Sequence, residues 1–445
     1  MLKFLIVKYL SLSLNAARAL LLASLLGPES FGLLGTLVVI QQYLSYVALG
    51  MREGLTVRLA QPESQREQGA HIHASALAWG VGVAMVVAIG VPAWAHATGR
   101  AQSYWAWVGI VSSLSIVNEI FININRDQNR LNKIALLELA YNAAPLACAL
   151  WFASRVSVTL VLQSLAAGLV LSIAGYVAGA GPVVKAGPRL ATVQRLLAIG
   201  IPLAVGSFFS SSITTVYILL ANAMVGGKTV GLVVFGNSLC SIVLFGSNMV
   251  AWAATSRSMR HLSSDESRQS DPRANRIAIL LRMAVVASTL LLAFSGFFLE
   301  FALPAYRGAE AYALMFCLLQ SYSLLLYAEL NFLAVHGHGR LIVLGYATIL
   351  IGSTSVYLAL PQIALLDLVV AAIALSGVLA FFCARISRRL GLLEDIGLPT
   401  MFLLFPALCA VGYRVWGAAA PIALALLYLG YSWAQYRARQ KPLSP

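Results

Sequence analysis

The sequence predicts an all-α polytopic membrane protein of about fourteen transmembrane helices, and three observations predict it. First, 60% of the 445 residues are hydrophobic and only 10% are charged, giving a mean hydropathy of +0.83. A soluble domain carries roughly 25% charged residues, so these apolar side chains exceed what one aqueous core can hide. Second, the apolar residues fall into runs suited to a hydrocarbon layer ~30 Å thick, and at roughly 30 residues per span and connection about fourteen fit. Third, the basic residues alternate between connections. A water-soluble enzyme, a disordered chain and a free nucleic-acid-binding domain are thereby excluded. The net charge of +14 reads as cationic cytoplasmic loops beside anionic lipid, with no nucleic acid implied.

Taken in order, helices are predicted at 3–26, 31–58, 74–96, 103–124, 132–153, 157–180, 195–224, 230–256, 276–299, 311–335, 340–360, 363–384, 398–415 and 418–436. Turn formers punctuate them: Gly27-Pro28, Gly181-Pro182, Gly187-Pro188, Gly226-Gly227, Asp271-Pro272, Gly337 and Gly339. The opening, with Lys3 and Lys8 ahead of Leu and Ala, resembles a signal peptide. Asn15 and Arg18 interrupt its apolar stretch, which favours a retained first helix. With both termini cytoplasmic, 24 of the 30 Lys and Arg fall on the cytoplasmic side. Five (Arg100, Arg155, Lys228, Arg307, Arg414) fall outside, and Arg18 lies within the first helix. A bias sustained at alternate connections supports both the orientation and the helix count.

The chain also repeats itself. Leu26-Gly27-Pro28-Glu29-Ser30-Phe31-Gly32-Leu33 matches Val225-Gly226-Gly227-Lys228-Thr229-Val230-Gly231-Leu232 at an offset of 199, and Glu119 with Arg130-Leu131 matches Glu329 with Arg340-Leu341 at 210. The longer polar loop from Arg257 to Arg276 accounts for the difference. Residues 1–194 and 195–396 are therefore read as two six-helix lobes in one orientation, and 397–445 as a further helix pair with a cytoplasmic tail. Repeated helical lobes are the usual frame of alternating-access transporters.

Polar residues inside the predicted spans are the functional candidates. Lys8, Ser11, Asn15 and Arg18 share one helical face, and the matching face of the seventh helix carries Ser207, Ser210, Thr214 and Tyr217. Only the first stripe is cationic. A central Arg costs ~2.5–3.5 kcal/mol on insertion scales, so the stripe must turn to protein or a water-filled cavity. Lys3 to Arg18 spans roughly 22 Å of helix, which carries Arg18 past the midplane. It reads either as a structural partner of Glu119 or Glu138, or as the ligand of an anionic substrate group, since its planar fork suits phosphate. Gln42, Ser45, Leu49, Arg52 and Thr56 line one face of a continuous second helix, and a mouth of Lys8 and Arg52 would lead to Arg18. Arg52 and Arg58 equally satisfy the inside-positive bias. Glu119, Glu138, Glu329 and Asp367 are the candidate intramembrane carboxylates, read as ion-coupling groups or as caps on neighbouring helices.

Other signals are weaker. His71, His73, His336 and His338 sit at cytoplasmic interfaces without the Cys or carboxylate cluster of a metal site. Five scattered cysteines imply neither disulfides nor a metal knuckle. Gly175 and Gly179 form one helix-packing motif, Pro92, Pro145, Pro202, Pro406 and Pro421 mark bends, and no P-loop or dinucleotide fingerprint occurs.

The segment Arg18-Ala-Leu-Leu-Leu-Ala-Ser-Leu-Leu-Gly-Pro-Glu-Ser-Phe-Gly32, then Ala48-Leu-Gly-Met-Arg-Glu-Gly-Leu-Thr-Val-Arg58, resembles the start of bacterial O-antigen and exopolysaccharide flippases. These belong to the superfamily of multidrug-extrusion antiporters and the peptidoglycan-precursor flippase. Asn129-Arg130 and Gly339-Arg340 add to the likeness, Asn129 standing where Gly is usual. The resemblance implies a V-shaped pair of lobes in the bacterial inner membrane. It implies transfer of undecaprenyl-diphosphate-linked oligosaccharide to the periplasmic leaflet for polysaccharide (O-antigen, lipopolysaccharide or exopolysaccharide) synthesis, H+ or Na+ coupling, no other cofactor, and work beside polymerase machinery. It also implies that Arg18 and Arg52, and less directly Lys8, bind the diphosphate; Asn15 and Gln42 on the same polar faces are further substrate-binding candidates, and Tyr43, Tyr46 and Tyr217 are read either as stacking on sugar faces or as packing. A multidrug cation antiporter is disfavoured by the arginines and the extra helix pair, a peptidoglycan-precursor flippase by the turn sequence. A membrane glycan polymerase or ligase would need a large external loop, and the longest here, Leu299 to Glu310, offers only Glu300, Arg307 and Glu310.

Overall fold

A computed structural model describes residues 2–59, 69–100, 102–128, 130–178, 187–262, 272–326, 329, 330, 333, 338–360, 362–390 and 400–440. The described residues are helical with short connections, and each of the fourteen predicted spans has a helical counterpart. Among them, 10 helices are long and apolar enough to cross a membrane, and three shorter apolar helices accompany these. The chain forms two compact units, 1–208 and 209–445.

In the first unit, α1 (Leu2–Ser45) is two helical arms joined at Gly27. Gly27 takes φ 68°, open to glycine without a Cβ penalty, and Pro28 follows where a helix start needs no N–H. The second arm does not run on to residue 58 as one helix. It ends at Ser45, a 3-10 turn covers Tyr46–Ala48, and Leu49 (φ 53°) and Gly50 (φ 79°) reverse the backbone twist before α2 (Met51–Leu59). Gln42 and Arg52 therefore sit on separate helices rather than on one face.

The cause of the break is a backbone contact. A Cβ at Gly50 or Gly54 would overlap main-chain atoms of Gly200 or Leu196, and one at Gly200 would overlap Gly50. These glycines bring α2 against the N-terminal part of α7 (Leu190–Met224). Trp79 of α3 (Gly69–Ala97) secures the turn by donating Nε1–H to the Ala48 carbonyl at 3.1 Å. Beneath it Met51, Leu55, Ile72, Ala76, Ile120, Ile124, Val193 and Leu196 close a core shared by α2, α3, α4 (Ser103–Asp127) and α7. A second cluster, with Phe121 stacked on Tyr176 at 6.0 Å, joins α4 to α5 (Leu131–Trp151) and α6 (Val158–Val177). Met85, Val86 and Ile89 of α3 are exposed, as a lipid-facing surface requires.

In the second unit, α8 (Gly227–Leu262) follows a turn in which Gly226 (φ 62°) repeats the left-handed glycine of Gly27, 199 residues on. The predicted span 276–299 is matched by one apolar span, Ile279–Ala302, in which a turn at Phe294 separates α9 (Pro272–Ala293) from α10 (Ser295–Ala302). At the centre lies α11 (Ala309–Leu325), where Leu314, Met315, Phe316, Cys317 and Leu318 are fully buried. Around it are α8, α9, α13 (Leu365–Arg389) and α14 (Thr400–Trp416); α12 (Gly339–Ala359) packs on α13, and α15 (Ala419–Gln440) on α9 and α14.

Candidate functional site

The glycine contact that breaks the second arm also aims Arg52. Its Nη1 donates to Glu119 Oε2 of α4 at 3.0 Å, while Nε and Nη2 donate to Glu53 Oε1 at 3.0 and 2.7 Å. One turn along, Thr56 donates to Asn123 Oδ1 at 3.1 Å. Both links between α2 and α4 join residues 67 apart, so the two helices run side by side in the same direction. These residues line a cavity of ≈590 Å³ together with Arg126 and, from α7, Leu203 and Ser207. Arg52, Glu53 and Glu119 also wall an adjoining chamber of ≈20 Å³, room for about one water. Arg52 is thus a cation held by two carboxylates, not the bare charge at a cationic mouth that the sequence suggested. Its guanidinium stays ionised throughout the accessible pH range.

Arg18 faces elsewhere. Ser11, seven residues before it and buried, accepts from Asn142 Nδ2 of α5 at 2.8 Å, which turns the polar stripe toward α5. The Tyr141 hydroxyl faces the Arg18 guanidinium and lies in the field of Glu119 and Glu138. Gly168 lets α5 and α6 approach closely at Tyr141, since a Cβ there would stand 3.0 Å from the Tyr141 carbonyl. Arg18 Nη2 donates to Asn15 Oδ1, and Nη1 is buried with no hydrogen-bond partner among the described residues. No carboxylate pairs with Arg18 among the described residues; Glu119, one of its two proposed structural partners, is held by Arg52. A buried donor left unmatched costs ~1–3 kcal/mol, which an anionic ligand would recover.

The other candidates divide. Asn15 is exposed and partners Arg18; Gln42 is exposed, and its neighbour Gln41 is the one that bonds Ser115, at 2.9 Å. Glu138 is half-buried on α5 beside Tyr141. The side chain of Lys8 lies outside the described residues. Tyr217 is wholly buried in the second unit, its ring 6.2 Å from Phe316, so it is a core residue with no face for a sugar. Tyr43 and Tyr46 pack on Phe208 at 5.4 and 5.5 Å. Glu329 is buried, unlike its counterpart Glu119, and Asp367 is half-exposed and pairs with Arg414 at 2.6 Å. His71 holds the start of α7 through the Gly187 carbonyl, at 2.9 Å, rather than offering a metal site. His336 and Gly179 lie outside the described residues. No group of three or more potential metal-ligating side chains occurs among the described residues.

A family model described as "Polysaccharide biosynthesis protein" matches residues 21–304, well over half the chain. The chain belongs to that family. This polysaccharide biosynthesis protein shares its fold with "Lipid II flippase MurJ, inward closed conformation", at 13% identity, TM-score 0.69, over 99% of this chain and 100% of that one. An outward-facing multidrug resistance MATE family transporter of the MOP superfamily matches at 14% identity and TM-score 0.65, over 87% of this chain and 94% of that one. A MOP superfamily transporter from Pyrococcus furiosus matches at 13% identity and TM-score 0.52, over 99% and 96%. No curated protein sequence matches this polysaccharide biosynthesis protein.

Sequence reasoning missed Glu53 and Tyr141. Glu53 was legible as the immediate neighbour of Arg52. Tyr141 was legible as the residue one helical turn from Glu138 and adjacent to Asn142.

Proposed function

We propose that this protein is a flippase carrying undecaprenyl-diphosphate-linked oligosaccharide from the cytoplasmic to the periplasmic leaflet for polysaccharide biosynthesis, by alternating access and without enzymatic chemistry. The observation that carries the reading is the Arg18 guanidinium, within a membrane-spanning helix, with a buried Nη1 that has no partner among the described residues. A diphosphate is the substrate group that matches it in charge and in fork geometry. Arg52, on the wall of the ≈590 Å³ cavity, is the second cation. Family membership agrees with this substrate class.

On this reading the lobes 1–194 and 195–396 are the two moving halves, 397–445 adds a helix pair, and both termini are cytoplasmic in the bacterial inner membrane. The substrate comes from, and returns to, glycan-assembling enzymes such as a polymerase. Glu119, which pairs with Arg52, and Glu138, one turn from Tyr141, are the coupling carboxylates, with Glu329 in the second lobe. Peptidoglycan-precursor transfer is the second reading, because the same two arginines suit any diphosphate-linked lipid.

The test is translocation in vesicles. A fluorescent polyprenyl-diphosphoryl oligosaccharide, read leaflet by leaflet, should move only with the protein present. Export of an organic cation, with no movement of the lipid-linked sugar, would overturn the proposal.

A further inference from the structure

We infer that diphosphate binding at Arg52 is an exchange: a phosphate takes the place of the Glu119 carboxylate on the guanidinium, and the displaced Glu119 takes up a proton from the cavity water. The inference rests on the substrate reading above and adds the order of events and the proton.

Arg52 is one positive charge facing two negative ones, with Glu53 on its Nε and Nη2 and Glu119 on its Nη1. With Arg126, the charged side chains of the cavity wall sum to zero, and Val57, Ile122 and Leu203 supply apolar surface between them. A diphosphate diester brings two more negative charges. Seated on Arg52 with both carboxylates ionised, it would stand beside two like charges that already hold the same guanidinium. Phosphate binds arginine best through two parallel N–H bonds from one edge of the fork, so one carboxylate must give way.

The geometry selects Glu119. It holds Arg52 by one bond at 3.0 Å with its side chain 36% exposed, whereas Glu53 receives two bonds with its side chain 14% exposed. The weaker and wetter partner leaves first. The charged and titratable groups acting on Glu119 are Arg52 and Glu53 from α2 and Tyr141 from α5. Once Arg52 turns to phosphate, the cation left in the cavity wall is Arg126, two helical turns along α4, and no ion pair joins it to Glu119 among the described residues. The carboxylate oxygen and one solvent proton become a carboxyl group, and the Thr56–Asn123 pair one turn away offers it polar partners. Since binding takes up a proton, affinity rises as pH falls, by up to about tenfold per pH unit, and levels off where Glu119 is already protonated without ligand.

The experiment is calorimetric binding to purified full-length protein at about pH 6 and about pH 8, each in two buffers of different ionisation enthalpy. The ligand is a short-chain polyprenyl-diphosphoryl N-acetylglucosamine, a diester with no proton of its own to exchange near neutrality. Wild-type protein should take up about one proton per ligand at the higher pH and bind more tightly at the lower. Glu119→Gln should take up none and bind equally at both pH values, as tightly as wild type in acid, and Glu53→Gln should still take up the proton. Zero uptake by wild type, or loss of uptake in Glu53→Gln with retention in Glu119→Gln, would overturn the exchange. If Arg52→Ala abolishes binding in that case, the substrate site itself still stands. Unchanged binding by Arg52→Ala would overturn the site and the exchange together. Should Glu119→Gln not fold, the wild-type proton count decides.

Discussion

Replacing Gly54 by alanine tests whether a main-chain contact positions Arg52. A methyl group at Gly54 would overlap the Leu196 carbonyl, whose atoms belong to the backbone of α7 and cannot be moved aside by a rotamer change. Alanine gains ~0.5–1 kcal/mol over glycine within a helix. Overpacking costs ~1–3 kcal/mol or more, and the high end applies where the neighbour is main chain. The net effect is a loss of about 1–2 kcal/mol. Gly82 of α3 is the control, because nothing lies within 4 Å of its added Cβ and only the gain remains. In a folding unit of this size 1 kcal/mol moves Tm by roughly 2–4 °C. Thermal unfolding of the purified variants, followed by tryptophan fluorescence at one scan rate, should therefore shift in opposite directions by a few degrees. Gly54→Ala should also weaken glycan export, since Arg52 lies two residues away. A Gly54→Ala protein as heat-resistant as Gly82→Ala would refute the contact.

Three further outcomes follow from the same geometry. Leu49→Asn should hold or raise stability by up to ~1 kcal/mol, since φ 53° suits asparagine better than leucine and the leucine side chain is half-exposed; a clear fall in Tm would contradict this. Tyr217→Phe should export glycan as wild type does, whereas Tyr217→Ala should lose ~3–5 kcal/mol and fold poorly; selective loss of transport in the phenylalanine variant would restore a substrate role. Trp79→Phe should cost ~0.5–1.5 kcal/mol through the lost bond to the Ala48 carbonyl, measured as a lower Tm, and an unchanged Tm would show that the bond contributes nothing.

Much of the fold was legible because membrane helices announce themselves by composition and length. The turn at Gly27-Pro28 and its echo at Gly226 were legible because few residues other than glycine take φ near 65° at so little cost. The break at Leu49-Gly50 was not. Residues 31–58 read as one apolar run, and the force that interrupts it is contact with Gly200, some 150 residues away, which no local pattern carries. The candidate site was legible in kind but not in pairing. Arg18, Arg52 and Glu119 stood out as charges within apolar sequence, yet which carboxylate meets which arginine depends on how α2, α4 and α5 pack. Tyr217 misled because helical periodicity placed it on a polar stripe, while Phe316 and the interior of the second unit enclose it.

The most direct measurement is leaflet-resolved transfer of a polyprenyl-diphosphoryl oligosaccharide by Arg18→Ala and Arg18→Lys, each corrected for the amount of folded protein. A guanidinium that grips the diphosphate predicts normal levels with transfer abolished in the alanine variant and part retained in the lysine variant. Transfer that falls only in proportion to folded protein would make Arg18 a structural residue and contradict the account.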